Sequence, residues 1–392
     1  MIRDRYDIVV VGGGPAGTLA ARSAAEKGVS VLLLEKDRDL GIPVRCAEAC
    51  GRKSLDRFLE PDPRWVAHQL HQVRFFAPDG TSVEVQTDEV GYILNRRIFD
   101  QELGRRAVRA GAQILTRAYV HGLILDRNQV TGVKVKLPDR QLVIGARIVI
   151  AADGVESRVG RWAGLRTNFA LKDLECCYQL VLSGIQVNPS SVDCYFGEKI
   201  APGGYVWVFP KGEDIANVGV GVAAAMTRGV PPKAYLERFV EEHFPGASVL
   251  ACVAGGVPAA KPFKRIHGAG ILLAGDAAAH SNPLTGGGII SAMAAGQLAG
   301  ETAANCIWRG DWSAEALSAY TQEWENRWGE EQRRHYRLKE AVHKLTDKTL
   351  NQAAQVLNKL PPEKRTLQNV FRVTLAHHPR LLFDIARSFL SS

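Results

Sequence analysis

Apolar positions along the chain change their spacing from segment to segment, and each change predicts a new element. Residues 6–11, YDIVVV, are nearly all apolar and rich in β-branched side chains, as a strand buried on both faces of a parallel sheet requires. The small-residue stretch 18–28 predicts a tightly packed helix ending at Gly28, and SVLLLEK at 30–36 predicts a second strand with Glu35 at its end. ARIVIA at 146–151 and ILLA at 271–274 predict two more buried strands, and IISAMAAGQLAGETAA at 289–304 a long helix of small and apolar residues. Between them lie QVRFFAPDG, TSVEVQT, LVLSGIQV, SVDCYFG, GGYVWVFP and ANVGVGVAA, strand-like runs separated by turn residues, which predict an antiparallel sheet offering one apolar face. After Cys306 the pattern turns helical: a long charged segment to Leu345, then shorter helices broken at Pro361-Pro362 and at Pro379. LLFDIARSFL at 381–390 has amphipathic helical spacing suited to packing, association or a lipid surface.

The strand–turn–helix–strand order at the start, and its echo late in the chain, define an α/β fold, α+β once the antiparallel sheet is included. Residues 1–70, 92–165 and 265–305 are assigned to a discontinuous Rossmann-like nucleotide domain. Residues 71–91 and 166–264 are assigned to an antiparallel-sheet substrate domain, and 306–392 to a helical C-terminal region.

Composition changes this picture little. A chain of 392 residues, 46% hydrophobic, has enough apolar surface for two globular domains. No stretch reaches the roughly 18 uninterrupted apolar residues of a membrane span, and the first residues run into a strand rather than a leader, so a cytoplasmic chain is expected. The seven cysteines form no CxxC pair and no ferredoxin spacing, which argues against zinc and iron–sulfur sites. The net charge of +8 clusters late, as in EEQRRHYRLKEAVHK at 330–344. That run reads either as a solvated helix face or as attraction to phospholipid, a phosphorylated substrate or an acidic electron carrier. No basic–aromatic interleaving accompanies it, so nucleic acid is not an expected partner.

Candidate chemistry centres on two glycine-rich turns. Gly12, Gly14 and Gly17 stand at GxGxxG spacing between the first strand and helix. Gly12 serves the tight turn, Gly14 the approach of a pyrophosphate and Gly17 close helix–strand packing. The helix N-terminus offers free N–H groups to phosphate, and Glu35 is placed to accept from ribose hydroxyls. This predicts an adenine dinucleotide without separating NAD from FAD. The second turn, GDAAAHSNPLTGGGI at 275–289, sets Asp276 at a strand end and glycines 286–288 at a helix start.

That second turn resembles the second FAD signature of the flavoprotein monooxygenase-like superfamily, in which GD precedes a proline and a glycine-rich helix start. Two further stretches match: ADGVESR at 152–158, with Asp153 in an internal DG motif, and GYILNRRIFDQEL at 91–103, with Arg96 as a helix-entry arginine. The resemblance implies a Rossmann-like FAD domain of the p-hydroxybenzoate hydroxylase type. Asp276 would bind the ribityl chain, and the helix start would face the flavin near N1 and O2, where a helix dipole stabilises negative charge. NAD accounts for the first turn alone, whereas FAD accounts for all four stretches, so the two turns hold two ends of one cofactor.

GIPVRCAEACG at 41–51, APGGYVWVFPKGEDIANVGVGV at 201–222 and PLTGGGI at 283–289 resemble the geranylgeranyl reductase family of flavin-dependent prenyl reductases, most of all its archaeal-type members that act on ether lipids. The resemblance implies FAD contacts at Ala16, Glu35, Cys46, Ala47, Ala49, Arg96, Asp276, Gly288 and Ile289, with Gly287 in the same helix start and a further contact near Val120. Tyr205, Trp207 and Phe209 would line a prenyl pocket. Period-two alternation does set those three on one strand face, with ordinary sheet core as the rival reading.

The implied activity is saturation of isolated double bonds in geranylgeranyl chains, probed on a prenylated lipid or prenyl diphosphate, by hydride from reduced flavin N5 plus a proton. NAD(P)H or a ferredoxin-type carrier would supply the electrons, and peripheral membrane contact is compatible with such a substrate. Cys46 is the candidate catalytic residue, with simple packing beside the ring as the alternative. Cys50 would share a face with it if 45–50 were helical, a spacing that seldom meets disulfide geometry. His280 is read as a surface or hydrogen-bonding loop residue. The rival functions are an FAD-dependent aromatic hydroxylase and a non-catalytic prenyl-lipid carrier with structural FAD. A flavin halogenase is disfavoured, since Tyr205 stands where its WxWxIP stretch has tryptophan.

Overall fold

Ile8, Val9 and Val10 are wholly inaccessible to solvent, which only a central strand covered on both faces allows. In the computed structural model, which describes residues 2–376, they lie in β1 (Arg5–Val11). Parallel to it run β2 (Val31–Leu34), β6 (Gln113–Leu115), β9 (Gln141–Ala151) and β16 (Ile271–Leu273), in the order β16-β9-β1-β2-β6. β15 (His267–Gly268) pairs antiparallel with β16, while β7 (Tyr119–Asp126) and β8 (Gln129–Lys136) extend the sheet antiparallel from the start of β9.

Among the described residues a second eight-stranded sheet contains β3 (Ala49–Gly51), β4 (Val66–Phe76), β5 (Ser82–Leu94), β10 (Leu174–Ser183), β11 (Ser191–Tyr195), β12 (Tyr205–Pro210), β13 (Ile215–Ala223) and β14 (Ser248–Pro258). Its order is β14-β10-β13-β12-β11-β4-β5-β3. The expected antiparallel sheet is in fact mixed, because β4 and β11 pair in parallel. The chain leaves for the other sheet between β5 and β10, so no hairpin obliges β4 and β11 to run in opposite directions. β3, which grows out of the loop carrying Cys46, is an edge strand the hydrophobic pattern does not announce.

Small residues decide how the helices sit. On α1 (Pro15–Glu26), a Cβ at Gly17 would stand 1.9 Å from the Gly12 carbonyl oxygen, and Gly12 itself has φ +105. α6 (Ile289–Arg309) presses on α1 so closely that a Cβ at Gly296 would stand 2.0 Å from the Ala16 carbonyl oxygen. Backbone-to-backbone contact of these two helices brings both glycine turns to one end of the parallel sheet. α2 (Arg52–Asp56), α3 (Arg96–Arg109) and α4 (Arg158–Trp162) flank this region. α5 (Pro232–His243) covers the far face of the second sheet, burying Leu236 and Phe239 against Val206, Val208 and Val220.

α7 (Ala314–Trp324), α8 (Glu330–Val342), α9 (Asp347–Asn358) and α10 (Leu367–Thr374) complete the described chain. The basic run 330–344 is not a uniformly solvated face: Arg334, Tyr336, Leu338 and Lys339 of α8 are buried. Pro379 and the amphipathic stretch 381–390 lie outside the described residues. Among the described residues no helix is long and apolar enough to cross a membrane.

Candidate active site

A cavity of about 880 Å³ opens between the two sheets, at the carboxyl ends of β1, β9 and β16, within the size range of a cofactor or ligand site. It gathers most of the candidate residues. Gly14, Ala16, Cys46, Ala47, Ala49, Arg96, Asp153, Asp276, Gly287, Gly288 and Ile289 line it together with Tyr205, Trp207 and Phe209. Gly12 and Gly17 lie beneath the turn. Glu35 stays behind the wall, its carboxylate accepting from Gly13 N at 2.6 Å and Asp37 N at 2.8 Å. Val120 is a core residue of β7, packed away from the cavity.

The wall chemistry suits an elongated anionic nucleotide. α1 and α6 both begin at the cavity, and neither has a side-chain cap among the described residues, so their first N–H groups and positive dipole ends are free for a ligand. Where Gly14 would carry a Cβ, nothing stands within 4 Å. Asp153 receives Val159 N at 2.9 Å on one oxygen, while Oδ1 is buried with no partner among the described residues. Asp276 sits where burial pushes its carboxyl up to about 6, partly opposed by Arg96. Arg96 itself is clamped bidentately by Asp100, at 2.7 and 2.8 Å.

The loop at 45–49 is held by residues from the second sheet that sequence reasoning passed over. It is not helical. Gln179 donates to the Cys46 carbonyl at 3.0 Å, and Asn217 to the Ala47 carbonyl at 3.1 Å. Glu48, buried and in a left-handed backbone conformation (φ 73), turns back under the loop. Its carboxylate accepts from Arg96 N at 2.8 Å, Asn217 Nδ2 at 2.7 Å and Lys211 Nζ. A buried carboxylate is tolerable only with such partners. Burial pushes the Cys46 thiol above its ordinary value, with the Arg96 charge a smaller opposing effect. Cys46 and Cys50 are not joined by a disulfide, and since β3 begins at Ala49 they are not on one helical face.

The aromatic stripe forms a wall. Tyr205, Trp207 and Phe209 point to the cavity from one face of β12, at successive ring separations of 5.9 and 6.4 Å, while Val206 and Val208 point to α5. Across β13, where Gly219 and Gly221 leave room, β10 presents Glu175, Cys177 and Gln179 to the same space. LECCYQ carries the period of a strand, but nothing in it says that this polar face is covered. Lys339 and His343 reach the rim from the basic helix.

His280, expected at the surface or in a hydrogen bond, is neither. It is buried, stacks on Trp324 with ring centroids 3.8 Å apart, and neither ring nitrogen has a hydrogen-bond partner among the described residues. Tertiary packing of α7 supplies the apolar cover that the loop sequence alone conceals.

The fold is of the flavoprotein monooxygenase-like type. A solved flavin-dependent brominase, 19% identical, has the same architecture with a TM-score of 0.69 over 96% of this chain and 99% of its own. A model of the geranylgeranyl reductase catalytic domain matches residues 173–257, and one of the lycopene cyclase protein family matches residues 7–193. The digeranylgeranylglycerophospholipid reductase of Methanocella arvoryzae is 44% identical over 388 residues, 98% of this chain and 99% of its own. That of Methanothrix thermoacetophila is 41% identical, covering 97% and 98%. A crystal structure of a geranylgeranyl bacteriochlorophyll reductase-like protein from Thermoplasma acidophilum is 33% identical, with a TM-score of 0.91 over 98% and 99% of the two chains. The chain belongs to the geranylgeranyl reductase family, among the digeranylgeranylglycerophospholipid reductases, and is a flavin oxidoreductase.

Proposed function

We propose that this enzyme holds FAD along the cavity and saturates the isolated double bonds of geranylgeranyl chains on ether phospholipids. The observation that carries the reading is that two uncapped helix starts and an apolar aromatic wall share one cavity, as a charged dinucleotide and a prenyl chain together require. Bound there, reduced FAD supplies the hydride.

The start of α1 and Gly14 would receive the pyrophosphate, Asp276 the ribityl hydroxyls, and the start of α6 with Gly287, Gly288 and Ile289 the ring. Cys46, Ala47 and Ala49, on a loop that Gln179, Asn217 and Glu48 keep in place, would help to hold the ring. Tyr205, Trp207 and Phe209 align the prenyl chain and exclude water. Tyr205 also donates its hydroxyl to the Thr285 carbonyl at 2.7 Å, tying the wall to the turn before α6. An isolated alkene is a poor hydride acceptor, so fixed orientation supplies much of the rate. Electrons arrive from NAD(P)H or a ferredoxin-type carrier, and the lipid is met at a membrane surface, no helix among the described residues being long and apolar enough to cross it.

The test is anaerobic. Enzyme reduced with dithionite and mixed with a digeranylgeranylglyceryl phospholipid regains oxidised-flavin absorbance, and the lipid gains two hydrogens per double bond by mass spectrometry. Absence of reoxidation favours a lipid carrier; hydroxylated product in the presence of O₂ favours a monooxygenase.

A further inference from the structure

Resting on that reading, we propose that Glu175 is the acid that protonates the alkene, and that it is resupplied with protons through His343. Three geometric observations meet at this residue. Glu175 lies on the cavity face of β10, in line with Cys177 and Gln179, whose cross-strand neighbours through β13 are Tyr205 and Trp207 of the aromatic wall. Its own cross-strand partner on β14 is Val257, whose side chain stands 3.5 Å from the Cβ position of Gly286, in the glycine run leading into α6. The carboxyl is therefore at the end of the aromatic row nearest the ring-binding turn. Finally, its Oε2 is buried with no hydrogen-bond partner among the described residues.

The charged and titratable groups around it explain why it stays an acid. From α8, Lys339 acts on it by charge, but its ammonium donates to the Lys172 carbonyl at 3.0 Å, the Ala259 carbonyl at 2.8 Å and Asp173 Oδ1 at 3.3 Å, with Glu340 at 3.6 Å. Asp173, beside the start of β10, also takes the Tyr336 hydroxyl at 2.8 Å. On β10 the neighbours Cys176 and Cys177 are thiols that burial keeps protonated, and on β12 the Tyr205 phenol is likewise raised. Burial then pushes the Glu175 carboxyl up to about 7, against a smaller pull from Lys339, near the optimum for an acid working at neutral pH. The Cys46 thiol, raised above its ordinary value, is a weaker acid and is left with packing.

His343 Nε2 lies 4.0 Å from Glu175 Oε1. Burial lowers its ring to about 4, so it is neutral at pH 7 and suited to relay. The same residue lines both the main cavity and a neighbouring one of about 220 Å³ bounded by Thr346, Asp347 and Arg228. That places it between the buried carboxyl and a second opening.

One C–H bond forms with the hydride from the reduced cofactor, which is thereby oxidised. The second forms with the Glu175 proton as its O–H bond breaks and the π bond is consumed. The carboxylate left behind regains a proton by way of His343.

The decisive experiment is single-turnover reoxidation of the reduced holoenzyme by a digeranylgeranylglyceryl phospholipid, in wild type and Glu175→Gln, across pH. Expected is an unchanged flavin content and a loss of about 10²–10⁴-fold in the variant. The wild-type rate should fall as pH rises through about 7, as the acid form is lost, and the variant's residual rate should be flat. Infrared difference spectra of the oxidised holoenzyme give a readout independent of turnover: a protonated-carboxyl band that disappears through the same pH range and is missing in Glu175→Gln. Equal rates and profiles in the two proteins overturn the donor while leaving the reductase intact. A wild-type enzyme that never reduces the lipid overturns the function and this proposal together. Should the variant fail to accumulate, a wild-type rate independent of pH between about 6 and about 8.5 overturns it alone.

Discussion

Trp207 donates its indole N–H to Gln179 Oε1 at 2.9 Å, and Gln179 passes the connection on by donating to the Cys46 carbonyl. One buried amide thus couples the wall assigned to the substrate with the loop assigned to the cofactor. Gln179→Leu keeps the bulk but orphans a buried donor and a buried acceptor. The expected cost is about 1–3 kcal/mol for each unsatisfied group, read by denaturant unfolding of the holoenzyme. A variant as stable as wild type would mean the chain of bonds constrains nothing.

Asp276 and Trp207 should separate cofactor from substrate. Asp276→Ala removes the carboxylate at the junction of both helix starts, and the purified protein should be colourless. Trp207→Ala opens a gap against Gly219, whose Cβ position stands 2.3 Å from the indole ring. It should purify yellow yet reduce long prenyl chains at least about tenfold more slowly, the loss expected for imperfect positioning. Normal reduction of long chains by this variant would remove Trp207 from the pocket.

His280 makes stability depend on acid. Burial lowers its ring from 6.5 to about 3 in the folded chain, so below about pH 6.5 the unfolded chain takes up a proton that the folded one refuses. Its contribution is complete above about 6.5 and declines as pH falls toward about 3, by about 1.4 kcal/mol per pH unit. His280→Phe keeps the stack on Trp324 and abolishes this titration. The difference in unfolding free energy, wild type minus variant, should be level above pH 6.5 and slope downward below it. The raised carboxyls of Asp276 and Glu175 act with the opposite sign, losing stability as pH rises, but they are common to both proteins and cancel in the difference.

Local chemistry made the first half of the site legible. Gly12 and Gly17 announce a strand–turn–helix because no other side chain fits the turn or the close approach, whereas the seating of Gly296 of α6 against Ala16 of α1 is visible only in the structure. The aromatic stripe was readable because strand alternation alone puts Tyr205, Trp207 and Phe209 on one side. Glu175, Gln179 and Asn217 were not, because a polar residue in a strand ordinarily signals solvent, and nothing in LECCYQ or ANVG says that another sheet covers that face. Lys339 was hidden within a basic helix for the same reason.

Periodicity and glycine spacing are properties of a few neighbouring residues, so the parallel strands and the two glycine turns follow from the primary structure alone. Burial is a property of what arrives from elsewhere in the chain. Whether a carboxyl such as Glu175 or Glu48 is a solvated charge, a clamp or an acid, and whether His280 meets water or Trp324, depends on desolvation and partners that exist only once the two sheets and α7 and α8 have closed over them.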